Sequence, residues 1–178
     1  MKFTIHNIET ASEQSKPLLE KSLNGFGMIP NLHGVLAESP AALEAYQELT
    51  RLFTQTSLDK EEITVVWQTI NSEHDCHYCV PAHFAVAHSM GVDGSVIDAL
   101  KNKTDLPSEK LKVLKETTLT LVRNRGRINS EDVEKFTQAG YAQQQLIEIV
   151  LGISHKVISN YVNHFSETPL DEPFKQFA

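Results

Sequence analysis

The segment Glu73-His74-Asp75-Cys76-His77-Tyr78-Cys79-Val80-Pro81-Ala82-His83 contains both cysteines of the chain, three residues apart, with a histidine four residues after the second one. Side chains four residues apart share one face of a helix, so a helix here would place His83 beside Cys79. Cys76 would point roughly the same way if the first helical turn includes it. Two thiols beside a possible proton acceptor predict a redox or nucleophilic site.

The start of that helix has two interpretations. Asp75 can cap a helix whose first turn contains Cys76. Alternatively, Pro81 is the first residue of a helix that begins near Val80, because proline has no N–H to donate within a helix, and both cysteines then lie in the preceding turn. Both interpretations place Cys79 at the positive end of a helix, where the dipole favours a thiolate.

The composition indicates a folded, soluble protein. The chain has 178 residues, enough for one domain with its own core, and 40% of them are hydrophobic and 22% charged. A net charge of −7 without a basic run argues against a nucleic-acid partner. No apolar run is long enough to cross a membrane and no signal-peptide pattern is present, so we expect a cytoplasmic location. In a reducing cytosol, a single C-x-x-C pair is catalytic or metal-binding rather than a structural disulfide.

Helical periodicity predicts an all-α protein with a single domain, 1–178. Within it we distinguish an N-terminal helical region (1–56), a core with the C-x-x-C motif (57–126), and C-terminal helices with a tail (127–178). The β-branched run 63–70 resembles a strand, but the cap at Asp59 and the acids after it favour a helix. The Gly- and Pro-containing stretch 25–31 is predicted to be a loop.

The last predicted helix, 146–165, has the clearest amphipathic pattern. Apolar residues at helical spacing are expected to face the core. Its polar face consists of His155, Ser159, Asn160, Asn163 and His164. These residues could line a site or a subunit contact, but we favour the simpler interpretation, a face exposed to solvent.

The motif is a glutamate early in one helix followed by E-x-x-C-x-Y-C-x-x-x-H, which in this chain gives Glu62, Glu73, Cys76, Tyr78, Cys79 and His83. This pattern resembles the thiol-containing branch of the carboxymuconolactone decarboxylase / alkyl hydroperoxidase D-like family. Segments 27–31, 39–40, 140–141 and 159–164 are also similar to this branch, so the resemblance covers most of the chain.

The resemblance implies an all-helical bundle, a homo-oligomer (trimer or hexamer), and thiol-dependent reduction of peroxides without a cofactor or metal. It also implies that His83 and Glu62 form a proton relay, and it adds Glu73 to the candidate catalytic residues. One departure concerns Tyr78, which stands where some members have a histidine. Another is Pro81, which replaces a small residue.

We therefore hypothesise a two-cysteine peroxidase cycle. His83 accepts the proton of Cys79, Glu62 orients His83, and the thiolate attacks the O–O bond to give a sulfenic acid. Cys76 then forms the disulfide, although the two cysteines could exchange roles. Regeneration requires a dithiol partner, either a thioredoxin-like protein or a lipoyl-bearing one.

Other interpretations remain open at this stage. The cysteine pair could be half of a zinc site, but no second pair of ligands is evident. Glu62 and Glu73 could be ordinary surface acids. The protein could be a redox sensor or disulfide reductase without peroxidase turnover. It could also be a cofactorless lactone decarboxylase, an activity that does not depend on a C-x-x-C pair.

Overall fold

The structure is a computed structural model that describes residues 2–178, which form helices and no β-strand. In chain order the helices are α1 (Lys16–Phe26), α2 (Asn31–Leu36), α3 (Pro40–Phe53), α4 (Lys60–Glu73), α5 (Cys79–Ser89), α6 (Gly94–Asn102), α7 (Glu109–Arg123), α8 (Ser130–Gln138), α9 (Gln143–Ser166) and a C-terminal 3-10 helix (Glu172–Phe177). The prediction of an all-α fold is confirmed. None of these helices combines the length and the apolar character needed to cross a bilayer.

Side-chain caps fix several of the helix starts. The Asp59 carboxylate accepts the Glu62 N–H at 2.8 Å, and the Glu62 carboxylate accepts the Asp59 N–H at 2.9 Å. This reciprocal pair is a capping box, which satisfies two backbone donors at the start of α4. The β-branched run 63–70 is therefore helical, as predicted.

The stretch 25–31 differs from the predicted loop. Helix α1 continues through Phe26 and ends at Gly27, whose φ of 72° is the left-handed conformation common just after a helix. Helix α2 then begins at Asn31 after Pro30. The Gly and Pro content correctly indicated a break in the chain, but the break is only a few residues long.

Helix α4 lies at the centre of the molecule and packs against α5, α7 and α9. Its residues from Glu62 to Asn71 are all buried. Most of the apolar core surrounds Trp67 and Phe53, while a smaller cluster around Leu43 and Tyr46 also contains the two cysteines. The dithiol is thus enclosed by packed side chains.

Helix α9 buries its polar stripe together with apolar residues such as Ile149. The inner side chains are fully buried: His155, Lys156, Ser159, Asn160 and Asn163. The predicted solvent-exposed face is therefore wrong for all of the residues assigned to it except His164, which is exposed. The reason is that groups on α3, α4 and the C-x-x-C turn supply hydrogen-bond partners for most of the stripe. Oδ1 of Asn163 is the exception and has no partner.

Gly152 on the inner face of α9 allows close packing against α3. A Cβ atom at this position would lie 2.7 Å from Cε2 of Phe53. We expect Gly152→Ala to lower the free energy of unfolding by about 1–3 kcal/mol, the usual cost of overpacking a core. Gly94→Ala is the matched control, because a Cβ there meets no atom within 4 Å. Urea denaturation of both variants measures the difference, and equal stability would contradict the packing argument.

Candidate thiol site

The C-x-x-C turn connects α4 to α5. Cys79 is the first residue of α5, and Cys76 lies in the turn before it, where its N–H donates to the Asn71 carbonyl at 3.0 Å. Asp75 is not a helix cap but has a left-handed backbone with φ 50°. The arrangement is close to the second interpretation of the sequence, and the prediction that Cys79 occupies a helix N-terminus is confirmed.

The two thiols are reduced and adjacent. The Cys79 N–H donates to Sγ of Cys76 at 3.3 Å, and both cysteines are free. Cys76 is 0% exposed and Cys79 is 1% exposed. This proximity allows a disulfide to form between them once one is oxidised.

Polar groups from α9 surround the sulfur of Cys79. The Asn163 side-chain amide donates to Sγ at 3.2 Å. The Ser159 hydroxyl is buried in the same cluster and donates to the Lys156 carbonyl at 3.2 Å, and the charge of Lys156 acts on the sulfur. Amide and hydroxyl donors together with a cation stabilise a thiolate in preference to a neutral thiol.

These groups give the two cysteines opposite acidities. Burial alone would raise the pKa of Cys79, but the Cys76 hydrogen bond, the Lys156 charge and the polar groups of α9, above all the Asn163 amide, outweigh it, so the pKa falls well below its usual value. The pKa of Cys76 is raised, first by its hydrogen bond to Cys79 and then by burial. Cys79 is therefore the better nucleophile, and Cys76 is the thiol that retains its proton.

Lys156 connects this thiolate to His83. Its Nζ lies 2.7 Å from Nε2 of His83. Burial lowers the pKa of Lys156, and the charges of Cys79 and Cys76 raise it. As an ammonium, Lys156 has donors only, so Nε2 accepts and the ring hydrogen lies on Nδ1. Burial first, and then the charge of Lys156, hold the pKa of His83 well below its ordinary value. His83 is therefore neutral and positions Lys156, which differs from the predicted role as the base that accepts the Cys79 proton.

A second histidine is fixed behind His83. Trp67 Nε1 donates to Nδ1 of His155 at 3.1 Å, and Nε2 of His155 lies 2.9 Å from the Thr50 hydroxyl. Burial first, and Lys156 next, lower the pKa of His155 well below its usual value. The site thus combines one buried cation with uncharged imidazoles.

Glu62 is not joined to His83 in this structure. One carboxylate oxygen completes the capping box of α4, and the other lies 2.7 Å from Nζ of Lys110. Burial would raise the pKa of Glu62, but Lys110, the Asp59 N–H and Tyr141 lower it on balance. The expected Glu62–His83 contact is absent because α4 directs Glu62 towards α7. Glu62 caps a helix and forms an ion pair there.

Glu73 also lies apart from the thiols. Both of its carboxylate oxygens accept hydrogen bonds from Arg123, at 2.7 Å each. This bidentate pair links the end of α4 to the end of α7. The structure brings together Cys76, Cys79 and His83 of the predicted site residues, and it places Glu62 and Glu73 elsewhere.

The remaining histidines of the motif region bind other groups. Nδ1 of His74 lies 2.8 Å from the Asn160 side-chain oxygen, and Nε2 of His77 lies 2.9 Å from the Thr168 carbonyl.

Across residues 2–178, no three His, Cys, Asp or Glu side chains are grouped so that they could bind a metal ion. The alternative of a zinc site thus has no set of ligands in this part of the chain.

We expect Glu62→Gln to reduce stability while preserving thiol chemistry. The substitution removes the charge that pairs with Lys110, and we expect a loss of about 1 kcal/mol, as for other helix caps. The depressed pKa of Glu62 means that its contribution is present above the unfolded-state pKa and is lost as the pH falls through the folded-state pKa. Urea unfolding at neutral and acidic pH tests this. If Glu62→Gln instead lost most of its thiol reactivity at unchanged stability, the result would support the predicted proton relay between Glu62 and His83.

The C-terminal segment covers the C-x-x-C turn. The Tyr78 hydroxyl donates to Asp171 at 2.5 Å, and the Asp171 carboxylate also accepts the Asn31 N–H at 3.1 Å. His77 contacts the Thr168 carbonyl, and the ring of Phe174 packs edge-on against Tyr78. Tyr78 thus anchors this cover through its hydroxyl and its ring.

A cavity of about 630 Å³ lies between α1, α3 and α5, and neighbours of the C-x-x-C turn line it, although neither cysteine does. Tyr78, Ala82 and His83 line it, and they flank Cys79 in sequence. Several aromatic and imidazole rings form its walls, among them Phe26, His33, Tyr46, Trp67, His155 and Phe174. A space of this size accepts a small organic molecule.

The sequence interpretation missed Lys156 and underestimated Ser159 and Asn163. One signal was available: apolar residues occur almost all around α9, and such a helix is covered on most sides. A narrow polar stripe on a covered helix must find partners inside the protein. The position of Lys156 opposite the cysteines depends on how α9 packs, which local pattern does not specify.

Comparison with known proteins gives similarity at the level of structure. No protein-family model and no curated sequence matches the chain. An uncharacterized peroxidase-related protein from Ralstonia eutropha JMP134, described as an alkylhydroperoxidase AhpD core, superposes with a TM-score of 0.85 at 17% identity, over 97% of this chain and 93% of that one. The fold is AhpD-like.

Two further structures share this AhpD-like fold. An uncharacterized peroxidase-related protein from Silicibacter sp. TM1040 has a TM-score of 0.81 at 18% identity, covering 100% of this chain and 97% of that one. The debrominase Bmp8, solved in complex with 2,3,4-tribromopyrrole, has a TM-score of 0.77 at 14% identity, covering 99% of this chain and 95% of that one. At such identities the similarity establishes the fold and leaves the activity to be argued from the site.

Proposed function

We propose that this protein is a thiol-dependent peroxidase that reduces organic hydroperoxides with Cys79 and Cys76. The observation that carries the proposal is the buried contact between Cys79 and a polar cluster of α9, comprising Lys156, Ser159 and Asn163, which lowers the pKa of the Cys79 thiol. A stabilised thiolate next to a second, protonated thiol is the arrangement that a two-cysteine cycle needs.

In the first step, the Cys79 thiolate attacks the terminal oxygen of the hydroperoxide. An S–O bond forms, the O–O bond breaks, and the alkoxide leaves as an alcohol after taking a proton. Lys156, whose charge acts on the Cys79 sulfur, supplies that proton. Cys79 is then a sulfenic acid.

In the second step, Cys76 attacks the sulfur of Cys79. The S–S bond forms, and the sulfenic hydroxyl leaves as water with the Cys76 proton. An external dithiol, thioredoxin-like or lipoyl-bearing, reduces the disulfide by exchange, and the proton released by Cys79 returns to Lys156. The C-terminal segment covers the cysteines, so it must move to admit this reductant. Such a cycle requires a reducing compartment, which agrees with the cytoplasmic location expected from the sequence.

Peroxide consumption tests the proposal directly. Cumene hydroperoxide is supplied with a dithiol reductant to the wild type and to Cys76→Ser, Cys79→Ser and His83→Ala. We expect sustained turnover in the wild type, none in either cysteine variant, and slower turnover in His83→Ala. Stoichiometric oxidation without turnover would instead support a redox sensor, and complete lack of thiol reactivity would contradict the proposal.

Reductive dehalogenation is a second candidate, favoured by the ring-lined cavity and by the fold shared with Bmp8. The Cys79 thiolate would take bromine from an aromatic carbon, the carbon would take a proton, and Cys76 would displace bromide to form the disulfide. The same dithiol reductant closes that cycle. Bromide release from 2,3,4-tribromopyrrole, compared with cumene hydroperoxide consumption under identical conditions, separates the two activities.

We also propose that the outer face of α9 joins copies of this chain into a homo-oligomer, a trimer or hexamer. Four large apolar side chains on this face are exposed by 47–71%: Ile147, Val150, Tyr161 and Phe165. At 100° per residue they fall within a narrow sector of the helix, opposite the buried polar stripe. An apolar stripe of this kind along 24 residues favours helix-to-helix association between identical chains.

Sedimentation velocity tests this interface. We expect the double variant Val150→Asp and Tyr161→Asp to dissociate to monomers, because two charges would have to be buried in the apolar contact. Leu23→Asp is the matched control, since Leu23 is exposed by 39% but lies on α1. A wild-type monomer, or an unchanged assembly in the double variant, would contradict the interface.

A further inference from the structure

The ring-lined cavity near the C-x-x-C turn has a one-sided distribution of charge. Two cationic side chains line it, Lys21 and Arg51, and no carboxylate does. Both cations belong to exposed residues of α1 and α3. The Arg51 guanidinium is paired with Glu48, which lies outside the lining, whereas Lys21 forms no ion pair within residues 2–178. The exposed end of the cavity thus carries a net positive charge.

The interior of the cavity is uncharged. Burial holds the pKa of His33 at about 4, so that this imidazole is neutral at physiological pH. His83 and His155 are neutral for the same primary reason. The rings pack edge-on or stacked against one another, as for His33 on Tyr46 and Tyr46 on His155. Faces and edges of such rings favour a flat, apolar molecule.

Two buried polar atoms of lining residues lack a partner. Oε1 of Gln47 accepts no hydrogen bond, although the amide nitrogen of the same side chain donates to the Leu18 carbonyl and to Ser22. Nδ1 of His83 likewise has no partner. Unpaired buried polar groups are rare and commonly mark a binding site. Nδ1 of His83 offers a donor on the thiol side of the cavity, because His83 adjoins Lys156, and this donor suits a hydroperoxide group. Oε1 of Gln47 offers an acceptor one helical turn from Arg51 on α3.

We propose that the cavity binds an amphipathic organic anion, with a flat apolar body among the rings, a reactive group beside His83, and a carboxylate at Lys21 and Arg51. The inference rests on the proposed peroxidase function and specifies its substrate class. A neutral hydroperoxide occupies the space among the rings but leaves Lys21 without an anionic partner. A carboxylate on the opposite side of an aromatic ring reaches them.

A pair of ligands that differ only in this carboxylate tests the inference. Cumyl alcohol and its para-carboxylate cannot be reduced further, and their binding is followed by the fluorescence of Trp67, the single tryptophan of the chain, which lines the cavity. We expect the carboxylate to bind about fivefold more tightly, as for partly exposed ion pairs. The double variant Lys21→Gln and Arg51→Gln is expected to lose this preference and retain its affinity for cumyl alcohol.

Lys16→Gln is the matched control, because Lys16 is a cation of α1 outside the cavity lining. Equal affinity of the two alcohols in the wild type, or a preference that survives in the double variant, would overturn the inference. Turnover of the two corresponding hydroperoxides separates this result from the proposed function. If the carboxylate binds more tightly but neither hydroperoxide is consumed, the proposed anion-binding cavity is supported and the peroxidase function is rejected. If both hydroperoxides are consumed and the two alcohols bind equally, the peroxidase function is supported and the anion-binding cavity is rejected.

Discussion

Lys156→Met is expected to slow peroxide consumption about 100-fold or more, the usual effect of removing one electrostatic contact to a reacting group. Lys156 is fully buried, and its charge lowers the pKa of Cys79. Without it, burial raises the pKa of Cys79 again and less thiolate is present at neutral pH. Activity that depends on a thiolate is lost as the pH falls through that pKa, so the acidic limb of the pH profile should move to higher pH in the variant.

The control for this variant is Lys110→Met, which removes a cation paired with Glu62, away from the thiols. It should leave both the rate and the pH profile close to those of the wild type. Methionine is apolar and similar in length to lysine, so the fold should accept it at the buried position, and circular dichroism verifies this. A Lys156→Met enzyme with wild-type rate and an unshifted acidic limb would disprove the role assigned to the cation.

Cys79→Ser is expected to abolish reaction with peroxide altogether, whereas Cys76→Ser should react once and stop. Cys79 carries the lowered pKa and attacks, and Cys76 only resolves the product. In Cys76→Ser the sulfenic acid has no neighbouring thiol, so it should accumulate on Cys79. Trapping with dimedone followed by peptide mass spectrometry locates it.

The alternative left open by the sequence makes the opposite prediction. If Cys76 attacks, Cys79→Ser should give a single turnover with dimedone on Cys76, and Cys76→Ser should be inert. Each variant is therefore the other's control. The raised pKa of Cys76 makes that outcome incompatible with the environment described here.

Much of the fold was accessible from the sequence because it depends on local chemistry. The cap at Asp59 and the acids after it specified the start of α4 despite a β-branched run. The spacing of Cys76, Cys79 and His83 indicated a thiol site at a helix N-terminus, and the structure places Cys79 there. Helix starts and i, i+4 neighbours are properties of a few adjacent residues.

The surroundings of the thiols were less accessible because they depend on contacts between distant segments. Lys156 and Asn163 lie more than seventy residues after Cys79 in sequence and reach it only because α9 packs against α5. The family resemblance suggested Glu62 as a partner of His83, but Lys110 binds that carboxylate instead. Which face of an amphipathic helix turns inward also depended on its partners, and the polar face of α9 was buried together with Ile149.

The ultraviolet absorbance of the thiolate, followed against pH in the reduced wild-type protein, tests the central claim most directly. We predict one thiolate per chain that persists below neutral pH, with a midpoint well below the value of about 8.5 for an ordinary cysteine, and a second that does not ionise in the same range. If no thiolate absorbance is present until the pH exceeds that ordinary value, Cys79 is not an activated nucleophile and the proposed chemistry is wrong.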